Sequence, residues 1–230
     1  MLRLLGFFAL TFVVYLVLIR IPVIGSVASI PFLGFFLAAA IVSRFLTKGG
    51  ALALDRRKQK ALVRELGAVD TPHNKGKLGL LFLSQKRYDQ AIPLLSEAVS
   101  AEPDSADLNY RLGKAYLGAR QTEDAIEGLS RAVKIDEEHA YGAAMMRLGE
   151  AKFEAGDYEG ALEALRIVER NHGASPESAY RQGVALKALG RKAEAATSFA
   201  SVSSLAREAV GYQKRDASLW SFRAGLARMF

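Results

Sequence analysis

Four basic residues stand at matching places along the chain, each directly ahead of a two-residue pair that ends in glycine. They are Lys77, Arg111, Arg147 and Arg181, and the glycines that follow them are separated by 34, 36 and 34 residues. An arginine guanidinium can form two parallel hydrogen bonds to one carboxylate. If these cations are aligned in space, they could bind aspartate, glutamate or a free C-terminal carboxylate of another protein.

Aromatic and apolar residues accompany these cations. The residue before the cation is Tyr110, Met146 or Tyr180 in the last three copies. Tyrosine and arginine together are typical of binding hot spots. The predicted partner-binding surface consists of Lys77, Tyr110, Arg111, Lys114, Met146, Arg147, Tyr180 and Arg181. The alternative is a solvated surface in which the cations pair with acids such as Asp107 and Glu150.

No residue pattern in the sequence indicates catalysis. The histidines, His73, His139 and His172, are scattered, and the chain has no cysteine. Metal-ligand spacing, a phosphate-binding loop and a nucleophile motif are all missing from the sequence. We therefore expect a protein that is not an enzyme and has no catalytic residue, metal, cofactor or small-molecule substrate. Nucleic-acid binding is the least favoured partner class, because aromatic residues do not alternate with the cations of the basic segment over residues 47–71.

A second series of residues repeats in step with the glycines. Ala91, Ala125, Ala161 and Ala195 are again separated by 34, 36 and 34 residues. A large apolar residue follows four positions after each alanine: Leu95, Leu129, Leu165 and Phe199. Small residues let two helices approach to about 8–10 Å. The pattern predicts antiparallel helix pairs that stack, because one pair cannot bury its apolar face alone.

These residues resemble the tetratricopeptide repeat family, a 34-residue helix–turn–helix unit with a Leu-Gly pair, an aromatic residue, an alanine, an apolar residue and a proline at set places. The matching residues of the first unit are Leu78, Gly79, Phe82, Ala91, Leu95, Ala98 and Pro103. The third unit departs from the pattern, because its aromatic residue is displaced by one position to Phe153. Two extra residues also lie near Ala140 and Tyr141.

The resemblance implies an all-α solenoid of about four units over residues 72–209, in which the first helix of each unit lines a concave groove for partner proteins. Some family members bind acidic C-terminal peptides through a five-residue carboxylate clamp. Only Arg147 matches that clamp here, so chaperone docking of this kind is not expected. Residues 210–230 are predicted to form a capping helix in which Leu219, Trp220, Phe222, Leu226 and Phe230 cover the last unit, while Arg223 and Arg228 face water.

The N-terminal residues have a different composition. Leu4 to Ile19 is an uncharged run of 16 residues, and a second apolar run extends from about Ile30 to Leu46. Turn-forming residues between Pro22 and Pro31 separate the two runs. The sequence predicts a transmembrane helical hairpin over residues 1–46. A cleaved signal peptide and a re-entrant hairpin are the alternatives.

Residues 47–71 are predicted to be a basic juxtamembrane segment. Gly49-Gly50 would form a hinge, followed by a short helix from Ala51 to Leu66. Five cations of this helix are predicted to contact anionic lipid headgroups: Arg56, Arg57, Lys58, Lys60 and Arg64. The alternative is that they act only as a topology signal. Because positive flanks stay in the cytoplasm, both termini are predicted to face it.

Together these features predict a bacterial-type, multi-pass inner-membrane protein with its repeat array in the cytoplasm. Its predicted function is that of a membrane-anchored scaffold or adaptor, which binds an acidic or C-terminal segment of partner proteins in the groove. The alternative is an envelope assembly or chaperone-like factor with the array outside the cytoplasm.

Overall fold

The computed structural model describes residues 2–18, Arg20 and residues 33–229. The chain divides into two compact units, Met1–Glu65 and Leu66–Phe230. Helix α1 (Leu2–Leu18) belongs to the first unit, and helix α2 (Leu33–Gly67) begins there. The array of helix pairs described below belongs to the second unit.

The N-terminal helices do not support the transmembrane prediction. Helix α1 has 17 residues, about 25 Å at 1.5 Å per residue, against a hydrocarbon core of about 30 Å. In α2 the apolar run is interrupted by Arg44 and then by Lys48. Within residues 2–18 and 33–229, no helix combines the length and the apolar character that crossing a membrane requires. The predicted hairpin over residues 1–46 is therefore wrong, as is the predicted multi-pass inner-membrane location with the array facing the cytoplasm.

The predicted hinge at Gly49-Gly50 is also wrong, because α2 runs through both glycines without a break. A glycine inside a helix costs about 1 kcal/mol relative to alanine. The helix-forming residues from Ala51 onward offset that cost. The predicted turn between Pro22 and Pro31 lies outside the described residues.

The second unit contains four antiparallel helix pairs within its described residues. The pairs are α3 (Pro72–Ser84) with α4 (Tyr88–Ala101), α5 (Ala106–Gly118) with α6 (Thr122–Ile135), α7 (Ala143–Glu154) with α8 (Tyr158–His172), and α9 (Pro176–Ala188) with α10 (Lys192–Glu208). The glycine and alanine markers of all four units are buried at matching places. The prediction of an all-α repeat solenoid is confirmed.

The turn within each pair has one repeated backbone conformation. Lys86, Arg120, Gly156 and Gly190 occupy its left-handed position, with φ between 59° and 84°, and they keep the same spacing as the glycine markers. In each turn the next residue donates its N–H to the carbonyl five residues earlier, as from Arg87 to Phe82 at 2.9 Å. This Schellman-type bond satisfies carbonyl groups at the end of the first helix.

The two extra residues of the third unit form the connection between α6 and α7. Ala140, Tyr141 and Gly142 are three consecutive residues with positive φ. The Tyr141 N–H donates to the Glu138 carbonyl at 2.9 Å, and the Met146 N–H to the Gly142 carbonyl at the same distance. The insertion is thus confined to this turn, and α7 keeps its place in the stack.

The capping helix α11 (Lys214–Met229) follows a short 3₁₀ turn and packs against α9 and α10. Its buried face is formed by Ala217 and Ala224, which are 4% and 1% exposed. Leu219, Phe222 and Leu226 are 48%, 65% and 43% exposed, so the prediction that they cover the last unit is wrong. Small residues face the array because they let α11 approach closely. Trp220 does pack inward, Arg223 and Arg228 are exposed as predicted, and Phe230 lies outside the described residues.

This orientation of α11 predicts a difference between two substitutions. Phe222→Ser should change the free energy of unfolding by less than about 0.5 kcal/mol, because the side chain is exposed. Ala224→Leu should lower it by about 2 kcal/mol, because added methylenes overfill a packed contact. Urea denaturation followed by circular dichroism measures both values. Equal losses of unfolding free energy in the two variants would contradict this orientation of α11.

Candidate partner-binding groove

The first helices of the four pairs are separated by three clefts. Between α3 and α5 the cleft volume is about 350 Å³, between α5 and α7 about 400 Å³, and between α7 and α9 about 250 Å³. Seven of the eight predicted binding residues line them: Lys77 and Arg111 the first, Tyr110, Lys114 and Arg147 the second, and Tyr180 and Arg181 the third. The eighth, Met146, packs against the hydrophobic cluster around Leu129 and Leu148.

Two of the predicted groove cations are exposed. Lys77 and Lys114 are on the surface of α3 and α5, and neither has a carboxylate partner among the residues that the structure describes. The Lys114 ammonium lies 5.7 Å from the centre of the Tyr110 ring, within cation–π range. Burial raises the pKa of the Tyr110 phenol, so this ring is neutral at physiological pH.

Arg111 is paired within its own helix. Its Nε lies 2.6 Å from Asp107 Oδ2, one turn earlier on α5. His139 Nε2 lies 3.7 Å from the other oxygen of Asp107, and the imidazole packs edge-on against Tyr110 with 5.5 Å between ring centres. The turn that carries the insertion therefore contacts the wall of the groove.

Arg147 and Arg181 belong to a closed ring of four charged side chains between α7 and α9. Arg147 binds Glu150 and lies 2.8 Å from Glu177, while Arg181 lies 3.0 Å from Glu150 and 2.9 Å from Glu177. The four side chains are only 17–26% exposed. The two positive charges are balanced by two negative charges of the same chain.

Burial of Arg147 lowers its pKa, but Glu177 and Glu150 outweigh that effect, and the pKa is raised overall. Arg147 therefore stays charged in a place where an unpaired charge would be costly. Pairing with acids of the chain, the alternative considered from the sequence, is what the structure shows for Arg111 and Arg147. The ion pair between Arg147 and Glu177 was not anticipated, because Glu177 belongs to the next helix pair.

Trp220 closes the end of the groove. Its ring packs against Tyr180 with 5.4 Å between centres, and the guanidinium carbons of Arg181 and Arg223 lie 5.5 Å and 4.8 Å from its centre. The indole is held between two cations and an aromatic ring. It thus contacts Arg181, one of the four side chains of the ion-pair ring.

Beside the predicted Tyr180, the third cleft contains apolar residues that sequence reasoning did not assign to a site. Phe153, Tyr180 and Val184 form its walls, and Ala161 and Leu165 of α8 contribute to its floor. The signal was present in the sequence as the displaced aromatic Phe153. The sequence did not show that Phe153 lines the cleft, because that depends on the direction in which its side chain points from α7.

The remaining predicted residues are five cations of α2. Arg57, Lys58, Lys60 and Arg64 are exposed along α2, and the side chain of Arg56 lies outside the described residues. Their contact with anionic headgroups stays a prediction. Across the described part of the chain, His, Asp and Glu side chains form no group of three or more that could hold a metal ion.

Comparison with known proteins agrees with this architecture. Two family profiles described as tetratricopeptide repeat match residues 82–149 and 146–206. The heat-shock protein cognate co-chaperone sgt12 of Aspergillus fumigatus is 32% identical over 114 residues, which are 50% of this chain and 32% of that protein. A TPR repeat-containing protein of Pseudomonas aeruginosa is 40% identical over 70 residues, which are 30% of this chain and 65% of that protein.

A crystal structure of MamA superposes with a TM-score of 0.55 at 25% identity, covering 61% of this chain and 82% of MamA. This chain therefore spans less than two thirds of the length of both curated relatives, but most of the length of that solved structure. The two profile matches carry the same description and together span residues 82–206, more than half of the chain. The protein belongs to the tetratricopeptide repeat family.

Proposed function

We propose that this chain is a non-catalytic adaptor that binds a segment of a partner protein along the groove formed by α3, α5, α7 and α9. The observation that carries the proposal is the row of three successive clefts, lined by equivalent residues of successive units. A partner segment that follows the row would contact all four units. The co-chaperone named above aligns over 114 residues, which is compatible with an interaction role.

The charges of the groove favour acidic residues in one part of the partner. Around α7 and α9, Arg147 and Arg181 are neutralised by Glu150 and Glu177. Lys77 and Lys114 are exposed on α3 and α5. An acidic side chain or a C-terminal carboxylate therefore binds best along the first two clefts, where it does not have to displace a carboxylate of the chain.

A peptide-display selection on the full 230-residue chain tests this proposal. We expect enrichment of acidic peptides, and at least a tenfold loss of their affinity in the double variant Lys77→Glu/Lys114→Glu. Each reversal replaces an attraction with a repulsion, so the loss should shrink as salt is raised. Fluorescence anisotropy of labelled peptides measures the affinities.

The matched control is Lys134→Glu/Arg166→Glu, which makes the same change in net charge at exposed positions on α6 and α8. Neither residue lines the three clefts, so affinity should stay within about twofold. If no peptide is enriched, or if both double variants lose affinity equally, the groove is not the binding site.

A further inference from the structure

We propose that the cleft between α7 and α9 is a specificity pocket for one bulky apolar side chain of the partner segment, in a motif with an acidic residue about three positions away. This inference rests on the proposed function of the groove. It adds the kind of side chain that the partner must present and the place where that side chain binds. This cleft is called the anchor pocket: its apolar and glycine lining is Phe153, Tyr180, Val184, Gly149, Ala161 and Leu165, and its charged lining is Glu150, Glu154 and Arg181.

The anchor pocket exists because the aromatic residue of the third unit is displaced. Three positions after the marker glycine, the first two units have Phe82 and Tyr116, whereas the third has Lys152. Lys152 turns toward Asp157, with 3.8 Å between their charged atoms. One residue corresponds to about 100° around a helix, so Phe153 faces the groove instead of the interior. Its ring is held there by Tyr158, with 5.2 Å between ring centres.

Val184 of α9 forms the apolar wall of the pocket on the side opposite Phe153. Three positions after the groove cation, the four units have Leu80, Lys114, Glu150 and Val184. In the last unit this position is therefore apolar, and it faces Phe153 across the cleft. Tyr180, on the preceding turn of α9, is fixed by Phe199 and Trp220. The pocket walls are therefore set by packing before any ligand arrives.

The size of the anchor pocket favours a single side chain as its occupant. Its volume is about 250 Å³, below the roughly 300–1,000 Å³ of typical small-molecule and cofactor sites. That volume accommodates leucine, methionine or phenylalanine. An acidic side chain would lose hydration against Phe153 and Val184 without gaining an unpaired cation, because Arg181 is already bound to Glu150 and Glu177.

The acidic residue of the proposed motif is inferred from the positive charges of the neighbouring cleft. The cleft between α5 and α7 contains Lys114, Arg120 and Arg147, against Glu150 and Glu154. Arg147 is paired with Glu150, which leaves the exposed Lys114 and Arg120 against Glu154, so the cleft keeps a net positive charge. Successive packed helices lie about 10 Å apart, and an extended segment advances about 3.3 Å per residue. An acidic side chain about three residues from the apolar one therefore reaches Lys114.

The test compares two matched variants on peptides selected against the full chain. Val184→Lys puts into the fourth unit the residue that the second unit carries at the same position, Lys114. Because Val184 also packs against the core of the last helix pair, the variant is compared with wild type by circular dichroism before binding is measured. The control, Val210→Lys, makes the same change at an exposed position before α11 that lines none of the three clefts. We expect selected peptides to share a bulky apolar residue and to bind Val184→Lys at least tenfold more weakly. Val210→Lys should retain their affinity.

A double-mutant cycle makes the result specific for the pocket. Replacing the shared apolar residue of a selected peptide with serine should cost at least tenfold on the wild-type chain and little further on Val184→Lys. If the affinity losses from the two changes were additive, the proposal would be overturned, because the apolar residue of the peptide would then bind outside the anchor pocket. Peptides that depend on Lys77 and Lys114 but share no apolar residue would also overturn it, while leaving the proposed function of the groove in place.

A second copy of the chain is the competing occupant, and sedimentation distinguishes it. We expect the wild-type chain and Val184→Lys to have the same oligomeric state. Dissociation of a wild-type dimer by Val184→Lys would show that the anchor pocket holds a residue of another copy, and would overturn the proposal. Circular dichroism of both variants confirms that loss of binding is not loss of folding.

Discussion

Replacing Arg147 with glutamate is expected to lower the free energy of unfolding by about 3 kcal/mol. The substitution would put three carboxylates in contact, at positions 147, 150 and 177, with only Arg181 to balance them. Breaking a buried ion pair on one side costs about 3–5 kcal/mol. The side chain of Arg147 is 26% exposed, so water screens part of that cost and the low end applies.

The matched control is Arg131→Glu on α6. Arg131 is also paired with a glutamate on its own helix, Glu127, but the two side chains are 60% and 62% exposed. An exposed pair of this kind is worth less than about 1 kcal/mol. Urea denaturation of both variants gives the comparison. Equal destabilisation by the two substitutions would show that the ring between α7 and α9 contributes no more than a surface pair.

The Gly113→Ala variant is expected to be less stable than wild type by about 2 kcal/mol, although alanine is the better helix former. A Cβ at Gly113 would lie 2.7 Å from Leu129 Cγ and 2.8 Å from the Leu129 backbone nitrogen. A backbone atom cannot move unless α6 moves with it. Overfilling of this kind costs about 1–3 kcal/mol, and we expect the upper end of that range. The better helix propensity of alanine offsets about 1 kcal/mol of that cost.

Gly149→Ala is the control, because it makes the same change at the same position of the next unit. A Cβ at Gly149 would lie 3.3 Å from the Ala161 carbonyl oxygen and 3.3 Å from Leu165 Cγ. A shift of a few tenths of an ångström accommodates it, so the propensity gain and the packing cost nearly cancel. Thermal unfolding followed by circular dichroism measures both variants. A loss at Gly149 as large as that at Gly113 would contradict this account of the close helix contact.

The features of the array that could be predicted from the sequence are those that each unit repeats. Gly79, Gly113, Gly149 and Gly183 keep step with the four marker alanines, because each glycine faces the helix that carries the alanine of its own unit. The contact depends only on local spacing, so the pattern identifies the helix pairs and their stacking. The same spacing places the groove cations on equivalent helices.

Other features depend on contacts between units. Arg147 with Glu150 and Glu177 with Arg181 are neighbours along one helix, but the bonds from Arg147 to Glu177 and from Arg181 to Glu150 cross between helices about thirty residues apart. Only the stacking angle brings those side chains together. In α11, the exposed Leu219, Phe222 and Leu226 lie away from the face of Ala217 and Ala224, so hydrophobicity alone favours the wrong face. In α1 and α2, hydropathy alone predicted membrane spans that their length and charges do not support.

The insertion between α6 and α7 provides a site for a chemical reporter. Tyr141 is 89% exposed at the tip of that turn, and His139, two residues earlier, touches Tyr110 in the groove wall. Because the natural chain contains no cysteine, a Tyr141→Cys substitution would introduce its sole thiol. A dye coupled there would sit at the midpoint of the array, where its emission could follow peptide occupancy without blocking any of the three clefts.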